Sequence, residues 1–391
     1  MNKKLKILHL TTSYPRFTGD ISGSFIKNLV DALSQKSADC SVLTSAGDSP
    51  ELFSYNNTRC FRYAPWKWQC LAHKPGGIPA SLRKNPLSLC LLPSFLTNMY
   101  ASIIKNSIKS DLIHAHWSIC GAIACLSKRI HRKKVITTLR GSDQFFSQKK
   151  FYRQFHNIAI LQSDAVVCVS KSILKELIAA YPKRKDVFYF IPNGISDEFY
   201  HINPIKRPKP PPFKFLYTGS LLPLKRIDTI ITAFSLIKDT DFTFNIVGDG
   251  DIKPQLIELC KKFNLEEKVS FLGTLSNNEM PKILQDNHCL ILASEREGRS
   301  NSVLEAMAGA MPVIASNIEG NSELITSGEN GFLFPVGADK VLSEIISDLC
   351  GNYHKYKNIG LNAREALIKL GLTWENSAQN YINLYKKVLE I

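Results

Sequence analysis

"FYHINPIKRPKPPPFK", residues 199–214, sets five prolines among four cations, Lys206, Arg207, Lys209 and Lys214. Proline fixes φ and lacks a backbone donor, so so dense a run forms neither helix interior nor central strand. It reads as a stiff boundary between two domains, placed at 203/204. The same rhythm runs on both sides of it. Upstream, "LKILHL", "CSVLT", "DLIHAHW", "KVITTL", "DAVVCVS" and "VFYFIP" read as strands, separated by helical stretches such as "SFIKNLVDALSQK", where Phe25, Leu29 and Leu33 recur every fourth residue. Downstream, "FKFLYTG", "FTFNIVG", "KVSFLG", "HCLILA" and "MPVIAS" restart the series. Alternating strands and helices predict α/β architecture with parallel sheets, and two such domains are expected to hold a ligand in the cleft between them.

Composition agrees with two cores: 391 residues, 44% hydrophobic and 21% charged. Ten scattered cysteines without a CxxC pair read as reduced, metal-free and cytosolic. The opening "MNKKLKILHLTTSYP" turns polar at Thr11, Thr12 and Ser13, too soon for a signal peptide, and reads as a first strand. Charge is uneven. Residues 1–200 carry 28 Lys and Arg against 12 Asp and Glu, and residues 201–391 carry 21 against 22, so +16 and −1 make up the +15 of the chain. A basic N-terminal half fits a plain solvated surface, an anionic membrane face or an anionic substrate. Nucleic acid is not expected, since no recognition-helix array, RNP-like strand or zinc finger accompanies the charge.

Residues 85–104, "NPLSLCLLPSFLTNMYASII", are uncharged. Ser94, Asn98 and Ser102 share one face and Leu92, Phe95, Leu96, Met99 and Ile103 the other, which predicts an amphipathic helix rather than a membrane span. Just upstream, "YAPWKWQCLAHKPGGIPASLRK" mixes Trp66 and Trp68 with cations. It suits a membrane interface or amphiphilic acceptor, or equally a loop packed on its own domain.

The chemistry concentrates in "SEREGRSNSVLEAMAGAMPVIAS", residues 294–316. One continuous helix would set Glu297 and Glu305 roughly 80° and about 12 Å apart. Gly298 breaks that continuity: a strand leads into a loop at Glu295–Ser300, and a helix starts near Asn301 or Ser302 and stops at Gly309. Free N–H groups around Ser300–Val303 attract phosphate. Flanking carboxylates suit hydroxyls instead, such as those of a sugar and a ribose. Ser302 and Glu305 also spell S-x-x-E, a capping box, which remains an alternative.

The E-x7-E spacing, followed by "AMAGAMPVIAS" and "EGNSELI", resembles the donor site of retaining family 4 glycosyltransferases of the GT-B fold. The likeness extends along nearly the whole chain through "YPRFTGDISGSF", "HAHW", "TLRGSD", "VSKSILKEL", "IPNGISDEF", "TGSLLPLKRID", "VGDGD" and "TWENSAQNYINLY". It implies two Rossmann-like domains with parallel sheets facing across a cleft: 1–203 on the acceptor side and 204–373 for the nucleotide-sugar donor. A C-terminal helix at about 374–391 is expected to pack back on the first. The resemblance makes Glu297 a ligand of the donor sugar hydroxyls, Glu305 the ribose ligand, and Lys225 the cation on the diphosphate. Gly23, Gly219, Arg226, Gly298, Ser300, Asn301, Ser302 and Val303 complete the donor contacts. Many members carry arginine where this chain has Ser220, and Arg226 or Arg299 is the substitute.

By the same resemblance His116 is the active-site histidine, although His114 competes for the role. The two share one side of a strand, which raises zinc, but no third ligand is evident and no metal is expected. Gly19 and Gly23 permit close backbone approach after the first strand. Asp143, Trp66 and Trp68 are placed on the acceptor side, and Asn193-Gly194 reads as a turn. Asp249-x-Asp251 matches the metal motif of the other large glycosyltransferase fold, but ending a strand of a second α/β domain it reads as a turn.

These implications converge on a retaining, metal-independent hexosyltransferase without cofactor, the nucleotide-sugar being a substrate. The expected acceptor is a glycan or lipid-linked molecule in surface polysaccharide biosynthesis, with the protein cytoplasmic and peripheral on the inner face of a membrane. The alternatives are a nucleotide-sugar 2-epimerase on a similar fold and a non-catalytic nucleotide-sugar- or nucleic-acid-binding protein.

Overall fold

The computed structural model describes residues 4–17, 20, 22–47, 57–73, 77–141, 143, 149–238 and 240–391. Gly19 lies outside them. The chain divides into two compact units: one runs up to Gly194 and resumes at Thr373–Ile391, and the other is Ile195–Leu372.

The first unit holds strands β1 (Leu5–Leu10), β2 (Ala38–Ser45), β3 (Thr58–Phe61), β4 (Leu112–His116), β5 (Lys134–Leu139), β6 (Ala165–Cys168) and β7 (Phe188–Phe190). They form one parallel sheet in the order β3-β2-β1-β4-β5-β6-β7, which reverses between β1 and β4. Strand β4 is buried along its full length, as a sheet covered on both faces requires. The Ser24–Gln35 helix buries Ile26, Leu29, Val30 and Leu33, spaced on one stripe. The C-terminal helix Trp374–Leu389 packs against it in the same unit, adding Ala378, Tyr381, Ile382 and Tyr385 to the core. The Leu92–Ser107 helix turns Phe95, Met99 and Ile103 inward against Phe61 and Tyr63. Pro86–Ser107 is long and apolar enough to cross a bilayer by length and composition, but this stripe is committed to the core.

The second unit holds β8 (Phe213–Thr218), β9 (Phe242–Val247), β10 (Val269–Gly273), β11 (Cys289–Leu292), β12 (Val313–Ser316) and β13 (Phe332–Phe334). The parallel order is β10-β9-β8-β11-β12-β13, reversing between β8 and β11. Alternation along β8 feeds both faces: Phe213, Phe215 and Tyr217 enter one core cluster with Phe234 and Phe244, and Leu216 enters another with Val303 and Met307.

The proline-rich stretch is not the boundary. The units part at Gly194, because Ile195, Phe199 and Ile202 already belong to a core cluster of the second unit and Ile195 N–H bonds Leu372 C=O at 3.1 Å. Arg207 is buried and donates to the carbonyls of Ala310 at 3.1 Å and Gly309 at 3.2 Å, so the segment clasps the end of the helix that carries Glu305. Strands β3 and β13 have no counterpart in the sequence reading. "TRCF" is largely exposed at a sheet edge and "FLF" is three residues long, so neither shows a periodic signal.

Candidate active site

In an open parallel sheet, ligands gather beyond the C-terminal strand ends where the strand order reverses. In the second unit that point lies between β8 and β11. The chain leaves β8 through Gly219 and Ser220 into a 3-10 turn at Pro223–Lys225, and leaves β11 through Ala293 towards Glu297 and Gly298. Glu295 N–H bonds Leu224 C=O at 2.9 Å and ties the two loops. Behind them runs the loop after β9. A Cβ on Gly248 (φ 136°) would lie 1.8 Å from Gly219 O, and Leu221 N–H bonds Asp249 C=O at 2.9 Å. "GDGD" is therefore a buttress for the Gly219 loop, and Asp249 turns its carboxylate to Gly250 N–H.

Lys225 Nζ donates to Glu297 Oε1 at 2.5 Å, and Ser294 Oγ donates to the same oxygen at 2.9 Å. Lysine and glutamate side chains keep 18% and 14% of their surface exposed. Beside them the Asn301–Ala308 helix begins. Its N-cap is Ser300, whose Oγ accepts from Val303 N–H at 3.4 Å, while Ser302 lies inside the first turn and donates to Thr218 C=O at 2.9 Å. The S-x-x-E capping box is thereby overturned: Ser302 does not cap, and Glu305 sits too far into the helix to reciprocate.

Glu305 is partly buried, and its carboxylate has no hydrogen-bond partner among the described residues. Desolvation first and the nearby Glu198 second push its pKa up to about 8, so it holds its proton at neutral pH. Arg226, in left-handed conformation at φ 48°, gives its guanidinium to Asp228 and Glu295 (Nη1 to Oε1, 3.0 Å). Arg299 is partly buried with Nε unpartnered. The second unit thus gathers Gly219, Lys225, Glu297, Gly298, Ser300, Asn301, Ser302, Val303 and Glu305 around one switch point, with Arg226 engaged at its edge. Ser294 and Glu198 escaped the sequence reading; Ser294, three residues before Glu297, was the legible one.

In the first unit the order reverses between β1 and β4, and their register pairs His9 with His114. This supplies the third imidazole that the sequence did not reveal, though both strands carry histidine near their C-terminal ends. His9 Nδ1 lies 3.2 Å from His116 Nε2; His114 meets Tyr385 OH and Thr138 Oγ1, each at 2.7 Å. All three are buried, and burial holds His9 at about 3 and the other two well below the usual range, so the cluster is neutral. One nitrogen from each lies within 4.8 Å of the others, the spacing of a metal trio. Both ring nitrogens of His114 already serve hydroxyls, however, and the Arg140 charge lowers the His114 and His116 pKa values further, so the arrangement suits a hydrogen-bonded network better than a cation.

Arg140, at the end of β5, is 7% exposed. Its Nη1 donates to Asn193 Oδ1 at 3.0 Å and its guanidinium lies 4.2 Å from the Phe25 ring centroid and 6.0 Å from that of Trp117. Asn193, read from the sequence as part of a turn, lies in irregular backbone and acts as a buried anchor. Cation–π contacts contribute ~0.5–2 kcal/mol, less than the several kcal/mol that burying a charge costs. Trp117 stands at φ 69°, ψ 157°, a conformation costly for a side chain of its size. Asp143 is fully buried, with its carboxylate accepting from Ser118 N–H (2.7 Å), Arg140 N–H (2.9 Å) and Tyr152 OH (2.8 Å). Its three donors make it a brace for this end of the sheet. Gly23 (φ 65°) starts the Ser24–Gln35 helix where a Cβ would lie 2.3 Å from Ser13 O. Trp66 and Trp68 sit on a short 3-10 turn apart from this group, Trp66 under Arg62 at 4.4 Å and Trp68 61% exposed.

Two doubly wound parallel domains with a charged, glycine-buttressed switch point define the GT-B class. Residues 22–199 match the model of Glycosyltransferase Family 4 and residues 201–366 that of Glycosyl transferases group 1. The chain belongs to this family of glycosyltransferases. It is 31% identical over 301 residues to an uncharacterized glycosyltransferase of Methanocaldococcus jannaschii, covering 75% of this chain and 81% of the relative. It is 27% identical over 290 residues to the N-acetyl-alpha-D-glucosaminyl L-malate synthase of Bacillus anthracis, covering 71% and 75%. The fold matches that of an Anabaena protein, HepE, in complex with UDP-glucose, at TM-score 0.75, 20% identity and coverage of 98% and 100%.

Proposed function

We propose that this glycosyltransferase is a retaining, metal-independent hexosyltransferase using a nucleotide-sugar donor. The observation that carries the reading is the Lys225–Glu297 pair at the switch point, next to the N-terminus of the Asn301–Ala308 helix, which Ser300 caps. A donor diphosphate competes for Lys225, and the lysine and helix N–H groups then stabilise the charge that develops as it leaves. Glu297, released, accepts from sugar hydroxyls, and Glu305 meets the ribose. The departing diphosphate oxygen takes the acceptor proton, which needs no carboxylate pair of the hydrolase kind. His116 is the catalytic imidazole of the first unit, held neutral by burial and oriented by His9. The UDP-glucose complex of the Anabaena neighbour supports a nucleotide-sugar donor.

The acceptor is a glycan or lipid-linked molecule of surface polysaccharide biosynthesis, met at the inner face of a membrane by a cytoplasmic, peripheral protein. Support comes from residues 52–110, which carry eight Lys and Arg and no Asp or Glu. Trp68, Leu87 and Leu89 stand exposed in that stretch, at 61%, 83% and 58%. Cations beside apolar tips favour an anionic bilayer.

Proton NMR of the reaction with a panel of nucleotide-sugars tests the chemistry. Free nucleoside diphosphate and a transferred sugar keeping the donor's anomeric configuration are expected without added metal. An inverted product, a requirement for divalent cation, or an epimerised donor would overturn the reading.

A further inference from the structure

Among the described residues Arg140 is a buried cation without an ion-pair partner. Among the described residues no carboxylate lies within ion-pair distance of its guanidinium, and Nε has no partner at all. The nearest acid along the chain, Asp143, spends its carboxylate on Ser118 N–H, Tyr152 OH and the backbone N–H of Arg140 itself. The imidazoles of His9, His114 and His116 are neutral, so they offer no negative charge. Burial lowers the guanidinium to about 10, which leaves it charged at neutral pH. Under it lies Phe25, in the first turn of the Ser24–Gln35 helix, whose positive end has neither an acidic residue nor a side-chain cap. Two positive features converge beyond the C-terminal ends of β1, β4 and β5, where ligands of such sheets bind.

We infer that Arg140 and the start of the Ser24–Gln35 helix bind an anionic oxygen group, phosphate or carboxylate, on the acceptor. This rests on the transferase reading for the identity of the ligand as acceptor. A planar guanidinium held 4.2 Å over the Phe25 ring and pinned by Asn193 is already oriented, so its fork meets two oxygens of one anionic group at little entropic cost. A bound anion completes the pair that the guanidinium lacks among the described residues.

The test is thermal unfolding of the intact chain with inorganic phosphate or L-malate, for the parent, Arg140→Met and Arg140→Lys. Both anions act on the parent, the one matching the acceptor group more strongly, with a midpoint that rises with concentration. Arg140→Met, having lost an unpaired buried charge, unfolds without anion at the parent's temperature or above it, and its anion response is gone. Arg140→Lys keeps the charge but loses the fork, and its apparent affinity falls at least tenfold. The inference is overturned if Arg140→Met retains the parent's anion response, if the parent responds to neither anion, or if Arg140→Lys responds like the parent. That last comparison carries the test should the methionine variant fail to fold. Binding of a panel of nucleotide-sugars by the same proteins separates the two readings. Retained nucleotide binding without an Arg140-dependent anion response fails this inference alone, whereas absent nucleotide binding in the parent fails the transferase reading.

Discussion

Glu297 takes the Lys225 ammonium at 2.5 Å across the two loops that flank the switch point of the second sheet. The pair ties the two loops together, and in the proposed reading the donor replaces each partner, its diphosphate taking Lys225 and its sugar hydroxyls taking Glu297. Glu297→Gln should therefore separate two properties. Turnover of the nucleotide-sugar falls by ~10²-fold or more, while the sugar-free nucleoside diphosphate binds as tightly as before or tighter, because Lys225 is released. Calorimetric titration with the diphosphate beside turnover assays checks both halves.

In the proposed reading Lys225→Ala removes the positive group that meets the leaving diphosphate. Loss of one such preorganised group costs ~10²–10³-fold in kcat. The fold should persist, because the pair is only partly buried. A rate unchanged within a few-fold in a folded variant would assign the lysine to Glu297 alone.

Glu305 gives a pH signature. Its pKa is raised from 4.5 to about 8, so the folded chain holds a proton that the unfolded chain has lost above the lower value. Stability falls as pH rises through that window, by at most about 1.4 kcal/mol per pH unit from this group. Glu305→Gln should flatten the slope and unfold later than the parent at pH 8. Denaturant titrations at pH 5, 6.5 and 8 measure it; an unaltered slope would show that Glu305 is ionised in the folded chain.

Gly248→Ala should be among the most damaging single changes. Its Cβ would fall 1.8 Å from Gly219 O at a φ of 136° that alanine rarely adopts. A loss of ~3 kcal/mol or more is expected, with the Gly219 loop displaced and nucleotide binding lost. Equilibrium unfolding reads the first effect and nucleotide titration the second.

Leu87→Asp with Leu89→Asp should leave the core intact, since both leucines point to solvent. Burying a leucine is worth ~1.5–3 kcal/mol, so partition onto vesicles containing phosphatidylglycerol should fall at least tenfold. Sedimentation with vesicles checks it. Equal binding by parent and variant would remove these leucines from the membrane-facing surface.

Much of this was legible before any coordinates. The strand–helix rhythm and the E-x7-E spacing act through local periodicity and through a glycine that breaks a helix, both written in the chain. What stayed hidden depended on register or on distant partners. His9 enters the histidine cluster because β1 and β4 align it with His114, and no local pattern encodes that alignment. Arg207 looked like a linker cation, yet its bonds run to residues about a hundred positions away. Asp143 looked available until three donors were found on its carboxylate. The capping box failed because Ser300, an equally good cap two residues earlier, took the place of Ser302.

The central claim is that the loops after β8 and β11, with the helix carrying Glu305, hold a nucleotide-sugar. Its most direct test is thermal stabilisation of the intact chain by a panel of nucleotide-sugars, beside Glu305→Ala. A donor at a hundredfold excess over its dissociation constant adds about 2.7 kcal/mol of stability. The account predicts that at least one donor stabilises the parent and that the same donor leaves Glu305→Ala nearly unmoved. Equal stabilisation of both proteins, or none of the parent by any donor, would contradict it.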